Sequence, residues 1–140
     1  FGSLFTLSNR LQVVGDSLDE AMTVKQWFLM AVLFRSEERE LSVSTLAQRM
    51  GSSRQNVKKM ALLLEKQGFL SIERSEDDRR FLMVRPTQAC LEHFRGRQAM
   101  EEAFIKALFA GFSLEELHHL CQGFSKLAAN IEALEEGPHA

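Results

Sequence analysis

With 140 residues and a net charge of −2, the chain can bury one real core but not two independent ones, and it is no general coat for polyanions. Tyr is absent, Pro occurs only twice, and Phe and aliphatic residues are plentiful, a composition that favours long helices. The longest apolar run, Trp27 to Phe34, is far too short to span a bilayer, no signal peptide is visible, and two cysteines cannot build a disulfide framework. The expectation is therefore a single domain over 1–140, cytoplasmic and with no membrane role, in which Cys90 and Cys121 are buried and reduced.

From Phe1 to Leu18, Leu4, Leu7, Leu11, Val14 and Leu18 recur at alternating three- and four-residue steps, a heptad-like helical seam. With no obvious partner inside the chain, such a seam is expected to pack on a helix of a second subunit. The chain opens on Phe1 rather than Met, so further residues are expected ahead of it. Thr23 and Gln26 fit a capping box, starting a helix that runs to about Arg35 with Val24, Trp27 or Phe28, Ala31 and Phe34 on its core face. Ser36 to Glu40 is a charged link in which Glu37, Glu38 and Glu40 read as solvated surface.

The stretch from Leu41 to Arg85 carries most of the information. Ser42 can cap a first short helix, and Gly51 stands where that helix must stop, because glycine takes a left-handed C′ conformation at little steric cost. Either Ser52 or Ser53 can cap the next helix, and Ser52 with Gln55 fits the S-x-x-Q box. Val57, Met60 or Ala61, and Leu64 then share one face, turned to a core. Ser53, Arg54, Gln55, Asn56, Lys58 and Lys59 lie at the start of that helix or off the face, where guanidinium and amide groups suit base edges in a major groove and ammonium groups suit phosphates. Gly68 closes the helix. Phe69 to Arg74 and Phe81 to Val84 read as strands of a β-hairpin, whose tip carries Arg79 and Arg80, shaped for a minor groove or its phosphates. Arg74 joins the candidate DNA contacts, while Asp78, two residues before Arg80, is expected to orient that arginine. Residues 41–85 hold nine basic and five acidic side chains, +4, whereas the rest of the chain is −6, a basic module on an acidic frame.

Pro86-Thr87 marks another helix start, with Thr87 as N-cap, Leu91, Phe94, Phe104, Leu108 and Phe112 as expected core positions, and Gly96 as an interruption or bend. Ser113 to Glu116 is a further capping box, opening a last helix with Leu114, Leu117, Cys121, Phe124, Ala128, Ile131 and Leu134 on one stripe, ended by Gly137-Pro138. The first and the last two helices together show more apolar stripe than a small winged helix can cover, which burial between two copies would answer.

Leu46-Ala47, Gly51, Ser53, Val57, the run Leu64-Glu65-Lys66-Gln67-Gly68, Asp78-Arg79-Arg80 and Thr87 make the segment resemble the winged helix of the MarR family, the multiple-antibiotic-resistance regulators. Two features depart from that pattern. Leu62 and Leu63 stand where polar or charged residues are usual, and Ser52 replaces an apolar residue. The resemblance implies a mainly α fold with a small β-hairpin: a winged helix-turn-helix lobe over 23–85, and dimerisation helices over 1–22 and 87–136. It implies a homodimeric repressor of transcription that binds an inverted repeat in double-stranded DNA. It also implies a small aromatic effector in a cavity beside the helix of Trp27 and Phe28, with Cys90 as a further neighbour. The alternatives are a winged helix used as a protein-interaction module and a thiol-responsive regulator.

No catalytic pattern competes with this reading. A Gly-rich phosphate loop, a nucleophile elbow and an H-E-x-x-H pair are all missing from the sequence, and His93, His118, His119 and His139 match no closed zinc spacing. No enzyme activity, metal or cofactor is expected.

Overall fold

The computed structural model describes residues 1–137; Pro138 and His139, on which expectations were placed, lie outside them. The chain falls into two units, 1–96 and 97 onward. The elements run α1 Gly2–Asp16, α2 Val24–Phe34, β1 Leu41–Ser42, α3 Val43–Met50, α4 Arg54–Lys66, β2 Leu70–Arg74, β3 Leu82–Pro86, α5 Gln88–Leu108 and α6 Leu114–Glu136. The fold is mainly α with a small antiparallel sheet, a winged helix-turn-helix.

The core of the first unit is built where α2, α3, α4 and the sheet converge. Leu29, Met30 and Leu33 meet Val43 and Leu46, Val57, Ala61 and Leu64, and Leu70, Val84 and Cys90, all of them buried. Burying such a side chain stabilises the fold by about 1.5–3 kcal/mol, so α4 is held by Val57, Ala61 and Leu64, the face its spacing predicts. The α2 face is a correction. Gln26, Leu29, Met30, Val32 and Leu33 are its buried residues, whereas Trp27 and Phe34 are half-buried against the core and Phe28 is exposed. A run apolar at every position from Trp27 to Phe34 has no periodicity to choose a face.

Caps explain the helix starts. Thr23 Oγ1 accepts from Gln26 N and Gln26 Oε1 accepts from Thr23 N at 2.9 Å. Ser42 Oγ accepts from Thr45 N at 3.0 Å. Gly51 adopts φ 58°, ψ 38°, and Ser53, not Ser52, caps α4 by accepting from Asn56 N at 3.2 Å. The Ser52–Gln55 box therefore does not form, because the turn that Gly51 makes carries Ser52 back to Ala47 O through its backbone N–H at 3.0 Å. At the other end of α4, Gly68 takes φ 83°, and Phe69 N–H returns to Leu64 O at 2.9 Å, a Schellman closure.

The sheet has three strands in the order β1-β3-β2 rather than the expected two. Leu41 and Ser42 pair with Val84 and Met83, and β2 pairs with β3 from Leu70↔Pro86 to Arg74↔Leu82. A two-residue strand shows no alternation, so β1 has no local signature. Glu40, expected as solvated, is instead half-buried and pairs with Arg85 at 2.9 Å. Thr87 joins three elements: its hydroxyl donates to Gly68 O at 2.6 Å and accepts from Cys90 N at 3.2 Å, capping α5.

Before the lobe, α1 meets α2 at a close joint. Gly15 is buried beside Val24, and Asp16 Oδ1 accepts from Val24 N at 2.7 Å. The seam residues Leu4, Leu7, Leu11 and Val14 are exposed, and Leu18 lies beyond the helix.

Gly96 does not interrupt α5, which is continuous from Gln88 to Leu108; a loss of about 1 kcal/mol in propensity is too small to break a helix of this length. In the second unit, Arg97 Nε meets Glu101 at 2.8 Å and Gln98 donates to Glu102 at 3.1 Å, i,i+4 braces along the same helix. Ser113 and Glu116 form the expected box at the start of α6. Two positions expected in a core, Leu108 and Phe112, are exposed in the single chain, as is Cys121, expected to be buried; Leu114, Phe124, Ile131 and Leu134 of the α6 stripe are exposed there too. Their helical spacing marks a stripe, and spacing cannot say whether the stripe is covered by the same chain.

Candidate nucleic-acid interface

The capping of α4 by Ser53 fixes which side chains leave its surface. Arg54, Gln55, Asn56, Lys58 and Lys59 are all exposed, but they divide into two groups. Asn56, Lys59 and Met60 line a cavity of about 760 Å³ whose other walls are Ser8, Leu11 and Gln12 of α1, Val24, Lys25, Trp27 and Phe28 of α2, and Met50, Gly51 and Ser52 of the turn. Arg54, Gln55 and Lys58 are not in that lining. Of these, Gln55 and Lys58 also lie off the strip of Val57, Ala61 and Leu64 that is buried in the core.

The wing is braced from within. Arg74 donates through Nη1 to Arg79 O at 2.7 Å, so this side chain, expected as a DNA contact, ties the base of the wing to its tip. Arg80 makes a forked pair with Asp78, Nε to Oδ1 at 3.0 Å and Nη2 to Oδ2 at 2.7 Å, and Asp78 Oδ1 also accepts from Arg80 N at 3.0 Å. These bonds hold the Asp78 carboxyl below its ordinary range, so it stays ionised. The Arg80 side chain is 86% exposed, so its position is set while its outer edge remains open to an anion. Arg79 is exposed beside it. Arg85, by contrast, is drawn to Glu40 and, at 3.6 Å, to Glu73.

Trp27 and Phe28 share the cavity wall. Cys90 is not in that lining: it is fully buried in the core, which pushes its thiol up to about 11. Two further features carry no local sequence signal. A second groove of about 380 Å³ runs between the α1–α2 connection and Leu63 and Lys66 of α4 with its C-cap Gln67. His93 Nε2 lies 2.8 Å from Asp19 Oδ2, its ring against Phe69 at 5.0 Å, which pins the α1–α2 connection to the start of α5. Among the described residues no cluster of His, Cys, Asp and Glu could hold a metal ion, and no helix is long and apolar enough to cross a membrane.

The sequence model of the MarR family matches residues 22–80. The chain is 34% identical over 92 residues to the uncharacterized HTH-type transcriptional regulator YfiV of Bacillus subtilis, an alignment spanning 66% of this chain and 58% of that relative. It is 26% identical over 147 aligned positions, 98% of this chain and 81% of the other, to the transcriptional activatory protein BadR of Rhodopseudomonas palustris. The S. aureus MepR structure, solved as a DNA complex, superposes with a TM-score of 0.82 at 15% identity, covering 91% of this chain and 94% of that one; at this identity the likeness is one of fold.

Proposed function

Since the chain belongs to the MarR family of winged-helix transcriptional regulators, we propose that it acts as a homodimeric, cytoplasmic repressor. In this reading it binds an inverted repeat in double-stranded DNA and is released by a small aromatic effector. The observation that carries the reading is the pairing of exposed Arg54, Gln55 and Lys58 on α4 with an Arg79-Arg80 wing tip held by Asp78. A helix supplies groups for base edges, and a braced wing supplies cations for the adjacent backbone.

Dimerisation is supported by the exposed apolar stripes of α1 and α6. Two symmetric copies would set their recognition helices about one DNA turn, roughly 34 Å, apart. The cavity beside Trp27 and Phe28 joins α1 to the start of α4, so a ligand there that favours one α1 posture biases that spacing, by about 5–150-fold in DNA affinity if typical couplings apply. The thiol alternative loses Cys90, which is buried with its thiol raised, and rests on the exposed Cys121 alone.

Selection from a random duplex library with the full chain tests the reading. An enriched inverted repeat, bound with steep salt dependence and weakened by Arg80→Ala, is expected. Equal affinity for random and selected duplexes would overturn it, and sedimentation showing a folded monomer at micromolar concentration would remove the dimer.

A further inference from the structure

Leu62 is 47% exposed on a helix most of whose other side chains have a place in the fold. Val57, Ala61 and Leu64 point to the core. Asn56 and Lys59 line the larger cavity and Leu63 the second groove. Glu65 turns to the sheet, accepting from Ile72 N at 3.0 Å. At about 100° per residue, Leu62 falls four residues beyond Lys58 and seven beyond Gln55, on the outward strip those two share. An apolar side chain is thus set in line with a base-reading amide and a phosphate-seeking ammonium.

We propose that Leu62 is a specificity residue that reads the C5 methyl of a thymine in the major groove. The inference rests on the DNA-binding reading and deepens it. The thymine methyl is the apolar group that the major groove displays, whereas a phosphate or a polar base edge would be desolvated by leucine without a partner. The flanking cations favour a polyanion over an apolar protein surface as the occupant of this strip. Seven residues of helix rise span about 10 Å, or about three base-pair steps at 3.4 Å each, so the thymine lies about three steps from the base met by Gln55. Leu63, which lines the second groove with Ala21 and Met22, has no such role.

The test uses the full chain and the duplex enriched from the random library, with each thymine replaced in turn by uracil, which removes the methyl alone. In each half-site, one replacement is expected to weaken wild-type binding about fourfold, the worth of one buried methyl. Leu62→Ala should lose that sensitivity, Leu62→Met should keep it, and Leu63→Ala should behave as wild type. Uracil at every position leaving wild-type affinity unchanged, or an equal penalty in wild type and Leu62→Ala, would overturn the proposal while the DNA-binding reading stands. Failure to enrich any duplex would overturn both.

Discussion

Replacing Gly15 by Ala tests the joint between the N-terminal helix and the lobe. On an open helix surface this change stabilises, by about 1 kcal/mol of helix propensity. Here an added Cβ would sit 2.7 Å from Val24 Cγ2 and 2.9 Å from Val24 Cβ. Both distances are too short for carbon atoms, and a β-branched side chain has little rotamer freedom to move away. Overpacking of this kind costs about 1–3 kcal/mol. Near the last turn of α1 the propensity gain is incomplete, so the net expectation is a loss of about 1–2 kcal/mol. For a chain of this size that lowers Tm by about 4 °C per kcal/mol. Chemical denaturation of Gly15→Ala, Val24→Ala and the double variant measures it. Val24→Ala removes the atom at 2.7 Å and leaves the one at 2.9 Å, so the double variant should recover about 0.5–1 kcal/mol relative to additivity. A rise in Tm for Gly15→Ala, or strict additivity with Val24→Ala, would refute the close joint.

Thr87→Val removes a hydroxyl that serves Gly68 O and Cys90 N together; a loss of about 1–2 kcal/mol is expected from the missing cap, read by denaturant titration. Asp78→Asn should leave Tm unchanged, since the pair with Arg80 is at the surface, yet lower DNA affinity several-fold by freeing the wing arginine. The sign with pH follows from the lowered carboxyl: its folded value lies below the ordinary 3.8, so the pair is fully present above that ordinary value and is lost only as pH falls through the folded one. Binding titrations from about pH 8 to about pH 5 should therefore show a constant ratio of wild type to Asp78→Asn; a ratio that collapses within that range would contradict the pairing. With its thiol raised to about 11, Cys90 is thiolate in only about three molecules in ten thousand at pH 7.5. In Cys121→Ser it should react with a disulfide reagent only as fast as the lobe unfolds, and rapid stoichiometric labelling would show an open route to the core.

The features legible without the fold lie within four residues along the chain. The caps at Thr23, Ser42, Thr87 and Ser113, the turns at Gly51 and Gly68, and the inward face of Val57, Ala61 and Leu64 all rest on local hydrogen bonds or on a helical period broken by polar residues. Where that period vanishes, between Trp27 and Phe34, only tertiary packing decided that Leu29, Met30 and Leu33 turn inward while Phe28 stays exposed. Ser53 prevailed over Ser52 as a cap because the left-handed Gly51 sent the Ser52 backbone to Ala47. The third strand, the Glu40–Arg85 pair, the fit of Gly15 against Val24 and the approach of His93 to Asp19, 74 residues away in sequence, join segments with no local tie. The same holds for the candidate interface: the polar residues of one helix can be read from the sequence, but only the packing of α1 and α2 beside α4 put Asn56 and Lys59 into a cavity wall and left Gln55, Lys58 and Leu62 out of it. Hydrogen-bonding preferences of neighbouring residues are encoded where they act, whereas the face a helix presents is set by whatever distant elements the whole core brings against it.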